Sequence, residues 1–261
     1  MNLDPSRLLL IAGPCVVESL DLLRTVADKM LTITRDLPVQ YVFKSSYRKA
    51  NRTSANSFQG IGDDLALQHL ATIREEFGVA ILTDFHTDAE AALAAQYVDV
   101  LQVPAFLSRQ TSLLEAAART GKVVNIKKAQ FMAPDDMPKA AAKVKAAGNE
   151  QIWLTERGTT FGYHDLVVDY RGLVDMKATG YPVIFDATHS VQRPSIGAQS
   201  GGQPQYILPL ACAAVAVGVN GLFVETHPDP QHALSDAATQ FPLDNMEHFL
   251  QRVLGIWSAA R

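Results

Sequence analysis

Cysteine is scarce in this chain of 261 residues, which contains only Cys15 and Cys212. Two cysteines can form at most one disulfide bridge, whereas small secreted proteins are held together by several. We therefore expect free thiols, as in cytoplasmic proteins. Glycine is also ordinary in abundance, at 16 residues, which excludes a collagen-like chain.

Charge of either sign is limited and nearly balanced. The chain has 23 Lys and Arg residues against 27 Asp and Glu residues, a net charge of −4 at pH 7. This balance gives no electrostatic reason to expect nucleic acid or an anionic membrane as a partner, and we expect neither. The hydrophobic fraction of 48% excludes an intrinsically disordered chain. Binding of a phosphorylated molecule must therefore depend on local clusters of basic residues.

Long apolar runs are missing as well. Near the N-terminus the apolar run 8–12 is too short for the core of a signal peptide. A membrane-spanning helix needs about 18 or more apolar residues, and no run approaches that length. We expect no targeting segment, no membrane partner and a cytoplasmic location.

Eight short runs rich in β-branched and other apolar residues recur about every thirty residues, each followed by a stretch of helical periodicity. The predicted strands are 8–12, 40–44, 79–83, 98–103, 122–127, 151–155, 182–187 and 221–225. The predicted helices are 20–31, 62–77, 88–95, 110–120, 136–147, 166–179, 206–218 and 243–258. This alternation over about 250 residues predicts an α/β protein, a single (β/α)8 TIM barrel formed by residues 1–261. A doubly wound sheet is less favoured because a GxGxxG turn is absent.

The active site of such a barrel lies at the carboxyl ends of its strands, so those positions can be examined in order. One group of residues there is cationic: Lys44, Lys49, Arg52, Lys127 and Arg157. Guanidinium groups bind phosphate through two parallel hydrogen bonds, and ammonium groups supply point charge. Their position in a chain of negative net charge predicts a site for a multiply charged anion.

A second group at the strand ends offers metal ligands. It consists of Cys15, His189, Glu225 and Asp236. Thiolate, imidazole and carboxylate together suit a borderline divalent ion such as Zn²⁺, Fe²⁺ or Mn²⁺. Their spacing matches no compact metal motif, so spacing alone leaves open that Cys15 is simply a small buried residue.

The segment 192–204 is rich in glycine, proline and serine, and it follows the strand end that carries His189. Long loops in compact domains are commonly lids or substrate loops. We therefore expect this segment to cover the mouth of the barrel.

Several longer motifs resemble those of the 3-deoxy-D-manno-octulosonate 8-phosphate synthase family. They are IAGPCVVES, FKSSYRKANRTS, LTDFHT, LQVPAFLSRQTSLL, VNIKKAQFMAP, LTERGTTFGY, VIFDATHSVQ and FVETHPDPQHALSD. The resemblance implies a barrel enzyme that condenses phosphoenolpyruvate (PEP) with D-arabinose 5-phosphate and water, and releases phosphate. It implies cleavage of the C–O bond of PEP, attack of C3 on the sugar aldehyde and addition of water at C2. The product of that reaction serves lipopolysaccharide biosynthesis.

Matched motif by motif, the resemblance also implies two substrate subsites. The residues implied to hold PEP are Lys44, Lys49, Lys127 and Arg157. Those implied to contact arabinose 5-phosphate are Asn51, Arg52, Thr53, Asp84 and Gln102. Arg109 corresponds to an arginine that reaches the sugar phosphate of a neighbouring subunit, so we expect an oligomer, specifically a homotetramer.

The resemblance places the chain in the metal-dependent branch of that family, with Cys15, His189, Glu225 and Asp236 as ligands. The other branch has asparagine where Cys15 stands. The implied cofactor is a divalent ion, Zn, Fe, Mn or Co. Lys49, His189, Cys15 and Asp236 are expected to carry the catalysis, and His189 also to contact substrate.

Three alternatives can be weighed against this prediction. The related 3-deoxy-heptulosonate 7-phosphate synthases use erythrose 4-phosphate, but they have KPRT-like residues where this chain has KANR. The amide of Asn51 can bind an additional sugar hydroxyl, which proline cannot. A non-catalytic phosphosugar-binding barrel is disfavoured because every implied substrate and metal residue is present. A class II metal aldolase would require a cluster of histidine ligands.

The chain departs from the family pattern at a few positions. Arg48 replaces an acidic residue, Ala129 replaces a glycine, and His164 replaces an asparagine. The segment after SGG also lacks the arginines usual there. Arg48 adds positive charge beside the implied sugar site, and the altered 192–205 loop bears on the lid and on phosphate binding. None of these differences falls on a residue assigned above.

Overall fold

The computed structural model describes residues 1–51, 57–194 and 201–261, and within them the predicted strands form one closed parallel barrel. The strands are β1 Leu8–Gly13, β2 Val39–Lys44, β3 Ala80–Asp84, β4 Val100–Val103, β5 Val123–Lys127, β6 Ile152–Glu156, β7 Val183–Asp186 and β8 Gly221–His227. Each strand pairs with the next, and β8 pairs with β1 through Gly221 opposite Leu9, which closes the barrel. The prediction of a (β/α)8 barrel is confirmed.

A helix follows each strand. The helices are α1 Leu20–Thr34, α2 Asp63–Phe77, α3 Asp88–Ala94, α4 Thr111–Arg119, α5 Met137–Ala146, α6 Tyr170–Lys177, α7 Ile207–Val217 and α8 Met246–Ala259. Local signals set their ends: the Ser19 hydroxyl accepts a hydrogen bond from the Leu22 N–H at the start of α1. Gly78 ends α2 in the left-handed conformation, with φ of 62°. Among the described helices, none combines the length and apolar character that a bilayer crossing needs.

The predicted helix 166–179 begins later than expected. Leu166–Val167 pairs in antiparallel fashion with Thr159–Thr160 and forms a short ribbon after β6. The Asp169 carboxylate then caps α6 by accepting a hydrogen bond from the Arg171 N–H at 3.0 Å. The prediction was wrong at this end because the apolar pair at 166–167 fits a helical period but packs in the ribbon.

Two apolar clusters cover the two faces of the strands. Side chains inside the barrel form one cluster: Leu9, Ile11, Val42, Leu82, Val100, Val123, Trp153, Ile184 and Phe223. A larger cluster fills the space between strands and helices. Because both faces of each strand are buried, the strands have continuous apolar runs rather than alternating ones.

The N-terminal segment covers the amino end of the barrel. Leu3 packs against the interior cluster, and the Met1 ammonium donates a hydrogen bond to Gln151 Oε1 at 3.0 Å. The opposite end, where the strands terminate in polar residues, carries a large cavity.

Candidate active site

A cavity of about 730 Å³ lies at the carboxyl ends of the strands. The predicted site residues that line it are Lys44, Lys49, Asn51, Asp84, Gln102, Lys127, Arg157, His189 and Asp236. They come from strand ends and loops around the barrel, as the fold prediction required. Cys15 and Glu225 are buried directly beside these residues, in contact with Asp236 and Lys44 respectively.

Two buried lysines at the base of the cavity are each paired with a carboxylate. Lys44 Nζ lies 2.5 Å from Glu225 Oε1, and Lys127 Nζ lies 2.5 Å from Asp186 Oδ2. Lys127 also stands over the ring of Phe223, 4.0 Å from its centroid. Burial lowers the pKa of Lys127, and the Asp186 carboxylate opposes that effect. In a site that is largely shielded from water, each carboxylate stabilises the charged form of its lysine.

Lys49 and Arg157 add two more cations to the cavity. Burial acts against the charge of Lys49, but the nearby Cys15 and Glu225 groups raise its pKa above the ordinary value. Arg157 donates through Nη2 to the His189 carbonyl at 2.9 Å. Its Nε is buried and has no hydrogen-bond partner within the part of the chain that the structure describes. Arg157 therefore retains donor capacity for a ligand in the cavity.

The four predicted metal ligands lie together. Ligand atoms of Cys15, Glu225 and Asp236 all lie within 4.8 Å of one another. His189 Nε2 is 3.6 Å from Glu225 Oε1 and 3.6 Å from Asp236 Oδ2. Glu225 Oε2 is buried and without a hydrogen-bond partner among the described residues. One sulfur, one imidazole and two carboxylates with an unused buried oxygen are chemically suited to a divalent ion.

The charges within this cluster are strongly coupled. Burial raises the pKa of the Cys15 thiol, and the Asp236 and Glu225 carboxylates raise it further. Burial also opposes ionisation of Glu225, but Lys44 and His189 lower its pKa to about 2. Lys49 and Lys44 favour the Cys15 thiolate, but burial outweighs them. A cation bound at this position would stabilise the thiolate further.

Asp186 is absent from the predicted site, yet it holds His189 in place. Its Oδ1 accepts a hydrogen bond from the His189 N–H at 2.8 Å, and its Oδ2 lies 2.8 Å from His189 Nδ1. Burial opposes its ionisation, but His189 and Lys127 hold the pKa of Asp186 well below its ordinary value. The far nitrogen of His189 thus faces the carboxylates of the cluster. The sequence signal that could have identified Asp186 is its position at the end of a strand, three residues before His189.

His86, which also lines the cavity, lies between two carboxylates. Its Nε2 lies 3.5 Å from Asp84 Oδ2, and its Nδ1 lies 3.4 Å from Glu90 Oε2. The same oxygen of Glu90 accepts a hydrogen bond from the Tyr47 hydroxyl. Asp84 Oδ1 is buried with no hydrogen-bond partner in the described ranges. The Asp84 side chain itself lines the cavity.

Arg48, one of the residues that depart from the family pattern, is paired with two carboxylates. Its Nη1 donates to Asp63 Oδ2 at 2.8 Å and its Nη2 donates to Glu90 Oε1 at 2.5 Å. The pKa of Glu90 is lowered to about 2: burial opposes this shift, while the Tyr47 hydrogen bond and the Arg48 charge favour it. Arg48 therefore adds little net charge to the cavity that it lines.

Gln102 is oriented by a chain of buried polar groups across three strands. Asn125 Nδ2 donates to Gln102 Oε1 at 3.1 Å, and Thr155 Oγ1 donates to Asn125 Oδ1 at 2.6 Å. Because the Gln102 oxygen already accepts from Asn125, its NH₂ group is the part suited to a bound ligand.

Lys128, next to Lys127, has a different environment and lies outside the cavity lining. Its fully buried Nζ donates to the Met132 carbonyl at 3.1 Å and to Thr159 Oγ1 at 3.2 Å. It also lies 3.4 Å from Glu156 Oε1, which accepts the Arg157 N–H at 2.9 Å. The Lys128–Glu156 pair thus connects the loops that carry two of the cavity's cations.

One described position, Arg109, is not brought into this site: it is exposed and lies outside the cavity lining. The predicted residues Arg52 and Thr53 fall outside the described residues.

The base of the predicted covering loop lies at the cavity rim, while residues 195–200 fall outside the described part of the chain. Gln192–Arg193 pairs in antiparallel fashion with Gly201–Gly202, so the segment is not wholly irregular. A ring nitrogen of His164 lies 2.9 Å from the Pro194 carbonyl. Gln192 and Pro194 both line the cavity.

Comparison with known proteins agrees with these observations. The family model described as the DAHP synthetase I family matches residues 4–257. A 2-dehydro-3-deoxyphosphooctonate aldolase of Cyanothece sp. is 52% identical over 251 residues, covering 96% of this chain and 92% of the relative. A protein of the same name from Trichlorobacter lovleyi is 51% identical over 255 residues, covering 97% and 94%. Another from Stenotrophomonas maltophilia is 52% identical over 248 residues, covering 95% and 90%.

Proposed function

The chain belongs to the DAHP synthetase I family, and we propose that within this family it is an octulosonate phosphate synthase. The proposed reaction joins PEP, D-arabinose 5-phosphate and water into 3-deoxy-D-manno-octulosonate 8-phosphate and inorganic phosphate, for lipopolysaccharide biosynthesis. The relatives' shared name, 2-dehydro-3-deoxyphosphooctonate aldolase, favours this activity over the erythrose 4-phosphate alternative. Residues 1–261 act as one catalytic domain in this proposal.

One observation carries the proposal: Lys44, Lys49, Lys127 and Arg157 line a single cavity in a chain of negative net charge. PEP and a sugar phosphate repel each other when placed side by side. Fixed cations offset this repulsion and hold the reacting carbons in contact. We assign these four side chains to the carboxylate and phosphate of PEP, with the unused Nε of Arg157 as an additional donor.

The sugar phosphate is assigned to the part of the cavity beside the ends of β3 and β4. Asn51, Asp84 and Gln102 line the cavity, and Asp84 and Gln102 are paired across these two strands. The Asp84 carboxylate can accept a hydrogen bond from a sugar hydroxyl, and the NH₂ group of Gln102 can donate one. The proposal also assigns Arg52 and Thr53 to the sugar by their place in the KANRTS motif.

We further propose that Cys15, His189, Glu225 and Asp236 hold a divalent ion, Zn, Fe, Mn or Co. The donor set and the unused buried oxygen of Glu225 support this assignment. Such an ion supplies Lewis acidity toward the aldehyde oxygen of the sugar. Asp186 keeps His189 oriented toward the site. Lys49 contributes positive charge beside the cluster, where charge develops during the condensation.

We also propose that the protein is a homotetramer and that it is located in the cytoplasm. Exposed aromatic side chains follow β4, β5 and β6 on the same end of the barrel as Arg109: Phe106, Phe131, Phe161 and Tyr163. Exposed aromatic groups at one end of the barrel favour contact with another copy of the chain, through which Arg109 would reach a neighbour's sugar phosphate. A reducing compartment suits the two free cysteines.

The test is phosphate release from PEP, measured with arabinose 5-phosphate and then with erythrose 4-phosphate. We expect arabinose 5-phosphate to be preferred by at least about 100-fold in kcat/KM, as when a site built to bind a hydroxyl meets a substrate without it. Equal turnover of the two sugars would contradict the proposed acceptor, and absence of release with both would contradict the synthase activity.

A further inference from the structure

Gln240 lies buried beside the Cys15–Asp236 end of the ligand cluster and outside the cavity lining. Its Oε1 accepts a hydrogen bond from the Cys15 N–H at 3.2 Å. Its Nε2 donates to the Ser235 carbonyl at 2.8 Å. These partners fix the orientation of the amide, because an N–H needs an acceptor and a carbonyl needs a donor. One side chain thus joins the loop after β1 to the loop after β8.

The backbone of Gln240 stabilises the same turn. Its N–H donates to the Asp236 carbonyl at 3.1 Å, and the Thr239 N–H donates to that carbonyl at 3.0 Å. Asp236 has a φ of 48°, in the left-handed region that residues other than glycine adopt at a cost. The Ser235 hydroxyl lies 2.8 Å from Cys15 Sγ. The left-handed backbone at Asp236 is therefore stabilised by hydrogen bonds from the backbone N–H groups of Thr239 and Gln240.

We propose that Gln240 is a positioning residue that sets the separation of Cys15 Sγ and the Asp236 carboxylate, so that both reach one cation. This role rests on the proposed function, in which these two residues hold a divalent ion. Cys15 and Asp236 lie on loops that are far apart in sequence, and Gln240 bonds to both loops through one neutral group. A neutral amide does this without adding charge to a cluster that already has two carboxylates.

Loss of the amide would leave the Cys15 N–H and the Ser235 carbonyl buried and unsatisfied. Either the two loops move apart so that these groups reach water, or the loops rearrange around the substituted side chain. Both outcomes displace the sulfur relative to the carboxylate. Removal of groups that orient metal ligands typically weakens metal binding by about 10- to 100-fold.

The experiment titrates the metal-free full-length protein with Co²⁺ and follows the thiolate-to-cobalt absorption, with kcat/KM measured separately. Gln240→Met removes both hydrogen bonds, and Gln240→Asn keeps the amide but shortens it. The matched control is Asn149→Leu, which removes a buried amide at the amino end of the barrel. The Asn149 amide donates to the Lys122 carbonyl at 2.8 Å and accepts from the Gln151 N–H at 2.9 Å.

We expect the Kd for Co²⁺ to rise by about 10- to 100-fold in both Gln240 variants, with a weaker thiolate band, and to stay unchanged in Asn149→Leu. A Kd within about twofold of the parent in the Gln240 variants overturns the positioning role. If Gln240→Met does not fold, Gln240→Asn decides alone. Failure of the parent to bind Co²⁺ overturns the metal site together with this role, whereas parental binding with unaffected variants overturns this role only.

Discussion

Asp186 contacts His189 with both of its carboxylate oxygens. Oδ1 accepts the backbone N–H of His189 at 2.8 Å, and Oδ2 lies 2.8 Å from the ring Nδ1. The same Oδ2 lies 2.5 Å from Lys127 Nζ. One carboxylate at the end of β7 therefore positions a proposed metal ligand and balances a proposed PEP-binding cation.

The first prediction concerns Asp186→Asn. The variant keeps the shape of the side chain but removes the charge, so His189 loses its orienting partner and Lys127 is left as a buried unpaired cation. We expect the free energy of unfolding to fall by about 3 kcal/mol and metal affinity to fall by about 10-fold or more. Urea unfolding and Co²⁺ titration measure these effects. Asp99→Asn, which affects a carboxylate bonded to the Ile81 N–H, is the control, and an equal loss in both variants would contradict the special role of Asp186.

The second prediction concerns the buried Lys128–Glu156 pair. Lys128→Met leaves Glu156 without its cation, and Glu156→Gln leaves Lys128 without its anion. Each single change should cost about 3 kcal/mol or more in unfolding free energy, because one charge remains buried and unpaired. The double variant should be more stable than the sum of the single losses predicts. Strict additivity in a double-mutant cycle would show that the pair does not interact.

The barrel was predictable because its strands are buried on both faces, so each has a continuous apolar run in the sequence. The cationic cavity was predictable for a related reason: Lys44, Lys127 and Arg157 end or follow such runs. Partnerships across the barrel were not predictable. Gln240 meets the Cys15 N–H across 225 positions of sequence, and no local pattern marks that contact.

The third prediction concerns acid stability. The pKa of Glu90 is lowered from an ordinary value of 4.5 to about 2 in the folded protein. A lowered folded pKa means that the unfolded chain takes up the proton first, so the stabilisation exists above the unfolded pKa and disappears on acidification. Unfolding free energy should therefore fall as the pH drops from about 5 to about 2.

The contribution of Glu90 can be separated with Glu90→Gln. This variant should be less stable than the parent at neutral pH and should lose less stability over the acid range. Urea unfolding across a pH series provides the measurement. Glu75→Gln, which makes the same substitution at an exposed position, serves as the control. A Glu90→Gln profile parallel to that of the parent would be inconsistent with the assigned role.

The fourth prediction concerns Arg109 and the proposed shared site. Arg109→Ala should raise KM for arabinose 5-phosphate by roughly 10- to 100-fold, the cost of one lost charged hydrogen bond, and leave KM for PEP nearly unchanged. The exposed Arg119→Ala variant should change neither constant. Mixing Arg109→Ala subunits with inactive Lys49→Met subunits should restore activity, because mixed oligomers contain some intact sites. Full activity of a strictly monomeric form would contradict the shared site.

The last prediction concerns the metal. Cys15, His189, Glu225 and Asp236 place one sulfur, one imidazole and two carboxylates around a common point. Because thiol and imidazole must lose protons to bind a cation, metal affinity should fall as the pH is lowered. Chelation should abolish phosphate release, and Zn²⁺, Mn²⁺ or Co²⁺ should restore it.

Variants at Cys15 separate the metal from the synthase activity. Cys15→Ala should lose both the ion and activity, because alanine has no ligand atom to replace the sulfur. Cys15→Asn places at this position the residue of the metal-independent branch, and we expect it to retain turnover that chelation does not remove. Elemental analysis of each preparation, alongside kcat/KM for both substrates, makes the comparison. Full activity of the parent without any transition metal would refute the metal site while leaving the proposed condensation in place. The side chains proposed to bind PEP are Lys44, Lys49, Lys127 and Arg157, and none of them is a proposed metal ligand.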